Sequence, residues 1–299
     1  MNTRPLGNTG LHVSDITLGT VELGLDYGFR GSTHYQKPDR SAAIAVVRHA
    51  VANGITLLDT APGYGDAEEV VGASNVTVPI ATKFTLPADA AQIAASVDQS
   101  LRRLRRDHVE LLQIHNPTAA AVRDPALVDA LQRIVDTGKV RFVGASAYDE
   151  ETALAILDTP IYRALQVPFN MLDRKMEQRV FPLAQERGVA VLVRSVFLRG
   201  VLTSRIVDIP APLAPLRNRV LAALGDDPVD SLAATALRFC LCFPAISTLI
   251  LGIRDIDELN VNLAAVNQGM LSPDELARWS AVAIDDDPLV SPLNWQGLI

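Results

Sequence analysis

Excess positive charge, a disulfide framework and long apolar runs are all missing from this chain. Its 27 Lys and Arg are outnumbered by 34 Asp and Glu, leaving a formal net charge of −7. That balance offers a nucleic-acid backbone nothing to hold and suits an ordinary globular surface. No stretch of about 18 apolar residues occurs, so no membrane span is expected. The opening residues, MNTRPLGNTG, lack the apolar segment of a secretory signal. Only two cysteines are present, Cys240 and Cys242. Two residues apart on one helix or strand, their side chains are badly separated for a disulfide, and free buried thiols in a reducing cytosol are expected. These absences predict a cytoplasmic protein that binds neither membrane nor nucleic acid, acting as a monomer or a weak homo-oligomer.

Several chemical signatures are absent as well. There is no G-x-x-x-x-G-K-[ST] loop for phosphoryl transfer and no G-x-G-x-x-G turn for a Rossmann dinucleotide site. No G-x-S-x-G elbow exists. The five histidines, His12, His34, His49, His108 and His115, lack zinc-ligand spacing and no C-x-x-C occurs, so no metal site is expected.

What the chain does have is alternation. Apolar residues make up 48% and charged residues 20% of it, the mixture of a well-packed globular protein. Strand-like runs at residues 15–20, 55–58, 78–82, 108–115, 140–146, 164–167, 189–193 and 246–251 are separated by segments with helical apolar spacing. Ile93, Val97, Leu101 and Leu104, for example, share one helical face. Asp124-Pro125 opens a helix as N-cap and N1, and Ser272-Pro273-Asp274-Glu275 reads as a capping box. Residues 203–224 are proline-rich and predict a long irregular loop after the seventh strand. Eight strand–helix units in about 250 residues fit an α/β fold of the (β/α)8 TIM-barrel type. A doubly wound parallel sheet is the alternative that the pattern leaves open. Residues 4–13, with Gly7-Asn8-Thr9-Gly10 between short apolar stretches, predict a β-hairpin outside the barrel and closing its bottom. One domain over residues 1–299 is expected.

In such a barrel the C-terminal strand ends face one common site. Asp59 ends the second strand, Tyr64 follows in the loop Ala61-Pro62-Gly63-Tyr64-Gly65, Lys83 ends the third strand and His115 the fourth. Each alone has a structural explanation, as a helix cap, a packed ring or a solvated end. Together they suggest acid–base chemistry. A phenol with a pKa near ~10 is a poor proton donor at neutral pH. A lysine ammonium beside it lowers that pKa, an aspartate fixes the lysine, and a neutral histidine can orient a carbonyl. None of the four can deliver a hydride, so a cofactor must. A lyase or aldolase using Lys83 as a Schiff base is the rival reading, and it needs a depressed lysine pKa.

These residues also carry a family resemblance, over essentially the full length of the chain. Leu57-Leu58-Asp59-Thr60-Ala61-Pro62-Gly63-Tyr64-Gly65 resembles the D-T-A-x-x-Y-G motif of the aldo-keto reductases. Ile80-Ala81-Thr82-Lys83 is similar to their lysine strand, and Leu111-Leu112-Gln113-Ile114-His115 to their L-x-x-x-H strand. The resemblance implies Tyr64 as general acid/base, Lys83 as the group that tunes it, Asp59 as support for Lys83, and His115 as the substrate-orienting group. It implies NAD(P)H-dependent hydride transfer to or from a small aldehyde, ketone or sugar-like carbonyl. A cofactor-binding regulatory subunit with little turnover is the alternative.

Cofactor positions carry over less completely. Ser146 matches the serine that holds the nicotinamide carboxamide, but Ala147 replaces the family's asparagine beside it. Gln166 matches the carboxamide-binding glutamine. Arg194 stands where an aromatic ring often stacks on the nicotinamide, and its plane could stack instead. Ser195, Phe197 and Arg199 occupy the expected pyrophosphate loop. Gly252, Arg254, Glu258 and Asn262 resemble the adenosine end, with Arg254 the candidate for a 2′-phosphate and Asn262 for adenine. Glu258 falls where many NADP-preferring relatives have an arginine, and it would repel a 2′-phosphate. On balance NADP(H) is expected, with NAD(H) the alternative. Residues 21–34, the segment after His115 and residues 284–299 are expected to shape the substrate pocket. Their aromatic and polar groups include Tyr27, Phe29, His34, Tyr35 and Trp295. Tail packing on the barrel is an equally good reading of Trp295.

Overall fold

The computed structural model describes residues 1–29, 36–284, 288–295 and 297–298. Strands β1 (Thr3–Pro5) and β2 (His12–Ser14) form an antiparallel hairpin, with Arg4 opposite Val13. Eight parallel strands follow: β3 (Ile16–Gly19), β4 (Leu58–Asp59), β5 (Ile80–Phe84), β6 (Val109–His115), β7 (Val140–Ser146), β8 (Tyr162–Pro168), β9 (Ala190–Arg194) and β10 (Ile246–Gly252). β10 pairs with both β9 and β3, so the sheet closes into a barrel. Closure removes the doubly wound alternative, which needs two sheet edges. The helices are α1 (Val21–Gly24), α2 (Arg40–Ala52), α3 (Ala67–Ser74), α4 (Ala90–Leu104), α5 (Ala119–Val122), α6 (Pro125–Asp136), α7 (Glu150–Leu157), α8 (Val180–Arg187), α9 (Ala214–Leu224), α10 (Leu232–Leu241), α11 (Ile256–Asn267) and α12 (Pro273–Ser280).

Two cores hold the barrel. Leu57, Ala81, Leu111, Ala164, Leu192 and Ile250 fill its interior, and the hairpin adds Leu6 and Val13 to the same cluster. The hairpin thus plugs the bottom, as its sequence predicts. Gly7 makes the approach tolerable: a Cβ there would lie 2.5 Å from the Ala190 nitrogen. The Arg4 guanidinium fastens the hairpin by donating to Asp15 and to the Leu241 and Ile246 carbonyls. The larger core lies between strands and helices, where α4 buries Ile93, Val97, Leu101 and Leu104.

The sequence reading needs correction at residues 203–224. That segment is not an irregular loop throughout, because it ends in the 11-residue helix α9. Pro215 sits in its first turn, where a missing N–H costs little, and Leu216, Val220 and Leu224 bury one face. The expected second strand at residues 55–58 is also shorter and later, at Leu58–Asp59. Both cysteines are free, Cys240 buried and Cys242 half-buried. No helix among the described residues is long and apolar enough to cross a membrane.

Candidate active site

The site begins with Asp59 at the end of β4. The Thr20 amide and hydroxyl both donate to the Asp59 carbonyl, at 2.9 and 3.1 Å, fixing the backbone from the neighbouring strand end. The carboxylate is buried and accepts three donors. Lys83 Nζ reaches Oδ1 at 2.5 Å, and Gln113 and Gln166 donate their amides to Oδ2 at 3.1 and 2.9 Å. Lys83, itself 1% exposed, also donates to the Thr60 carbonyl. A buried ion pair survives only with its remaining hydrogen bonds satisfied, and the two glutamines and Thr60 meet that need.

Burial works against the Lys83 charge, but the Asp59 carboxylate and the Tyr64 oxygen outweigh it and hold the ammonium above its usual pKa. Lys83 is therefore a fixed cation, and the Schiff-base reading, which needs a neutral amine, loses its premise.

Tyr64 sits over this pair, with the Lys83 nitrogen 4.9 Å from the ring centroid. A turn sets its position: the Tyr64 amide donates to the Ala61 carbonyl, and its carbonyl accepts from Ala67 at the start of α3. α1 packs directly on that turn. A Cβ on Gly24 would stand 1.8 Å from the Tyr64 carbonyl oxygen, so only glycine fits. His115 meets the Tyr64 ring edge-on at 6.0 Å. Burial and then the Lys83 charge push the imidazole down to about 4, so it is neutral at physiological pH. For Tyr64 itself burial pushes the phenol up, and the Lys83 ammonium pulls it down only in part. The expected lowering by Lys83 is thus outweighed by burial, which residue spacing does not reveal. The result is a phenol held protonated, beside a cation that favours its conjugate base once a proton is given up.

One cleft of about 660 Å³ gathers every expected site residue except Lys83, which lies beneath its floor. Asp59, Tyr64, His115, Ser146 and Gln166 form one end of it. The Ser146 hydroxyl donates to Gln166 Oε1 at 3.4 Å, so that oxygen faces Ser146 while the Gln166 amide nitrogen is committed to Asp59. Arg194 lies over Tyr148, its guanidinium carbon 3.7 Å from the ring centroid. Beyond it the loop carrying Ser195, Phe197 and Arg199 turns tightly, with left-handed φ at Ser195, Leu198 and Arg199. Such backbone in three non-glycine residues is characteristic of binding loops. The Arg199 guanidinium reaches across to the Tyr27 ring, 4.1 Å from its centroid.

The far end holds Gly252, Arg254, Glu258 and Asn262, and here the charges are interlocked. Arg254 donates to the Tyr27 carbonyl at 2.9 Å and pairs with Glu22 at 3.0 Å and Glu258 at 3.7 Å. Glu258 also accepts from the Arg254 amide and pairs with Arg205. Burial pushes the Glu22 carboxyl up to about 7 against the pull of Arg254. The first turn of α11 is capped by Asp255, which accepts from the Glu258 amide at 2.8 Å.

Sequence reasoning missed Gln113, Glu22, Tyr148 and Arg205. Gln113 carried a signal: it lies two residues before His115, hence on the same strand face, as a polar residue in an apolar run. Glu22 and Arg205 lie in loops and short helices, where spacing says nothing about direction. Of the pocket aromatics, Tyr27 lines the cleft. Trp295 is buried, stacks on Phe29 at 5.7 Å and donates to the Leu289 carbonyl, which is tail packing. His34 and Tyr35 lie outside the described residues. Among the described residues no group of three or more His, Cys, Asp or Glu is arranged to hold a metal ion.

The donor set fits a nicotinamide dinucleotide. Arg194, Arg199, Arg205 and Arg254 all line the cleft of a chain whose net charge is negative, alongside Ser146, Ser195 and Asn262. Comparison with known proteins agrees. Residues 15–284 match the model of the aldo/keto reductase family. Aldo-keto reductase YhdN of Bacillus subtilis is 30% identical over 225 residues, covering 70% of this chain and 66% of the relative. The NADH-specific methylglyoxal reductase of Escherichia coli is 28% identical over 74% of each chain. The holo form of aldo-keto reductase AKR11C1 from Bacillus halodurans superposes with a TM-score of 0.81 at 27% identity, covering 95% of this chain and 97% of its own. With its barrel closed, its strand-end quartet assembled and the family model matched from residue 15 to 284, the chain belongs to the aldo/keto reductase family.

Proposed function

We propose that Tyr64 donates a proton to the carbonyl oxygen of a small aldehyde, ketone or sugar-like substrate, and takes it back in the reverse direction. The enzyme is an NAD(P)H-dependent oxidoreductase, as its family requires. When bound, the cofactor supplies or accepts the hydride at nicotinamide C4. The observation that carries the Tyr64 role is the buried Asp59–Lys83 pair beneath a phenol kept protonated by burial. As the proton leaves, negative charge develops on Tyr64 Oη and the fixed Lys83 cation stabilises it without reorganising. Neutral His115, on the same wall, donates a hydrogen bond that orients the substrate oxygen. Ser146 and Gln166 Oε1, which the Ser146 hydroxyl orients, are suited to a carboxamide.

For the cofactor we infer a dual site. The sequence expectation of NADP(H) rested on Arg254. In the folded chain Arg254 already has Glu22, Glu258 and the Tyr27 carbonyl as partners. A 2′-phosphate would have to take Arg254 and Arg205 from Glu258, whereas the 2′-hydroxyl of NADH would find Glu258 as an acceptor. NADH thus enters without rearrangement and NADPH by exchange of partners. The name of the Escherichia coli relative, an NADH-specific enzyme acting on methylglyoxal, is compatible with this reading and with a small aldehyde substrate.

Titrating the protein with NADH and NADPH, followed by quenching of its fluorescence, tests the site. Both are expected to bind, with E258Q shifting the ratio of affinities toward NADPH. A panel of aldehydes then tests turnover. No binding of either form by folded protein would overturn the reading. Turnover undiminished in Y64F would remove Tyr64 from it.

A further inference from the structure

Arg194 differs from Arg205 and Arg254 of the same cleft in forming no direct ion pair. Arg205 and Arg254 pair with Glu258, and Arg254 also with Glu22. Arg194 forms no ion pair among the described residues. Its hydrogen bonds are two long ones, to Ser195 Oγ and the Ala147 carbonyl, each at 3.4 Å. Tyr148 supplies a shelf that holds the guanidinium plane 3.7 Å from its ring centroid. Strand register sets the neighbourhood. Ser146 lies beside Gln166 across β7 and β8, and Arg194 ends β9 beside Pro168, two residues beyond Gln166. The Arg194 charge is felt by Tyr64 and His115 alike. Asp173 also feels this charge, without a direct ion pair to it, so a cation lacking a contacting counter-ion is fixed in the wall of the catalytic end.

We propose that Arg194 biases the cleft toward the reduced form of its cofactor. The proposal rests on the nicotinamide reading given above. Reduced and oxidised dinucleotides share the same riboses, pyrophosphate and adenine. They differ in the ring, which is neutral when reduced and carries a full positive charge when oxidised. A guanidinium beside the ring repels only the oxidised form, while its attraction for the pyrophosphate is common to both. The ratio of the two dissociation constants therefore isolates the ring term. In carbonyl reduction the oxidised cofactor is the product, and the same repulsion speeds its departure.

The test is equilibrium binding without substrate. Oxidised and reduced NAD and NADP are titrated against the wild type, R194Q and R194K, following protein fluorescence. The wild type is expected to hold the reduced form about tenfold or more tighter than the oxidised, since unit charges a few Å apart at a partly screened site interact by more than a factor of ten. R194Q is expected to bring the ratio at least threefold closer to unity, mainly through tighter oxidised cofactor. R194K keeps the charge but not the planar guanidinium's contact with Tyr148, and is expected to retain more of the wild-type ratio than R194Q does. A ratio unchanged in R194Q, with both forms still bound, overturns the proposal and leaves the oxidoreductase reading intact. Equal weakening of both forms overturns it too, because Arg194 would then serve only the pyrophosphate. Failure of folded wild type to bind any form is the separate failure of the nicotinamide reading itself. Should R194Q not fold, Y148L removes the shelf instead. The ratio is then expected to fall at least twofold, and an unchanged value counts against the proposal.

Discussion

Around Asp59 charge is buried and paired one to one, whereas around Glu258 it is denser, shallower and shared. Lys83 and Asp59 are 1% and 2% exposed, and Gln113, Gln166 and Thr60 supply further hydrogen bonds to them. Glu258 and Arg205 are about a quarter to a third exposed, and Glu258 is divided between Arg205 and Arg254. The first arrangement has one low-energy state and is preorganised for a reaction. The second has partners to exchange and can accommodate a ligand. Removing a member of the first should therefore damage chemistry or folding, and removing a member of the second should alter preference.

The largest expected effect is at the catalytic end. Y64F should lower kcat for carbonyl reduction by roughly a thousandfold or more, in line with loss of a positioned acid and its electrostatic support. Cofactor affinity should stay within about threefold of wild type, because the phenol touches the reacting oxygen rather than the dinucleotide. Steady-state kinetics with fluorescence titration separate the two. The pH profile sharpens the same point. The phenol is held above its usual value, so reduction should be flat through neutral pH, with its upper limb above pH 10. On the acid side the limit is protonation of His115 at about 4. Oxidation of the alcohol needs the deprotonated phenol and should rise with pH across the neutral range. A reduction rate that falls between pH 6 and 8 would contradict this assignment.

Next comes the backbone that positions Tyr64. In G24A the new Cβ would fall 1.8 Å from the Tyr64 carbonyl oxygen, and α1 and the tyrosine turn must separate. Overpacking of this kind costs about 1–3 kcal/mol or more. Thermal unfolding should show the loss, and kcat should fall more than the midpoint shift alone explains, because the turn carries the acid. A fully active G24A with wild-type stability would mean that the turn is adaptable.

Gln113 gives a smaller effect of the same kind. Q113L removes one of the three donors to Asp59 while filling the same volume with an apolar side chain. Gln166 still donates to the same oxygen, so about 1–3 kcal/mol of stability is expected to go with the lost hydrogen bond to a charged group, and kcat should drop about tenfold through a less firmly held Lys83. Gln113 acts through Asp59 rather than on substrate, so KM should change little. Q113E, which keeps the shape but adds a negative charge beside Asp59, should be worse than Q113L.

The same contrast accounts for what the sequence could and could not reveal. Asp59, Lys83 and His115 stand at the ends of strands whose apolar runs announce them, and the barrel brings strand ends together without regard to loop detail. Tyr64 was legible through its motif. Gln113 was half legible, as a polar break on a known strand face. Glu22, Arg205 and the partners of Arg254 were not legible, because they meet only when the short helix α1 folds over the far end of the cleft. Charge balance there depends on directions that spacing does not encode. Helix α9 was missed for a related reason: Pro212 and Pro215 look like breakers until Pro215 is seen in a first turn.

The smallest expected effect probes the far end through Glu22. Its carboxyl is pushed from 4.5 up to about 7, burial being the largest cause and Arg254 opposing it. Below pH 4.5 the group is protonated whether the chain is folded or not, so no pH-linked cost exists. Between 4.5 and 7 the unfolded chain ionises first, and the folded state loses stability as pH rises. Above 7 the cost is complete. E22Q keeps the shape and cannot ionise. It should therefore match the wild type in Tm near pH 4.5 and exceed it by roughly 2 °C or more at pH 8. Calorimetry of cofactor-free protein at both pH values provides the measurement. Arg254 retains Glu258 and the Tyr27 carbonyl in the variant, so little is lost to set against the gain. An equal Tm difference at both pH values would mean that Glu22 ionises freely in the fold. The far end would then be as firmly paired as the catalytic end, and the contrast between them would fail.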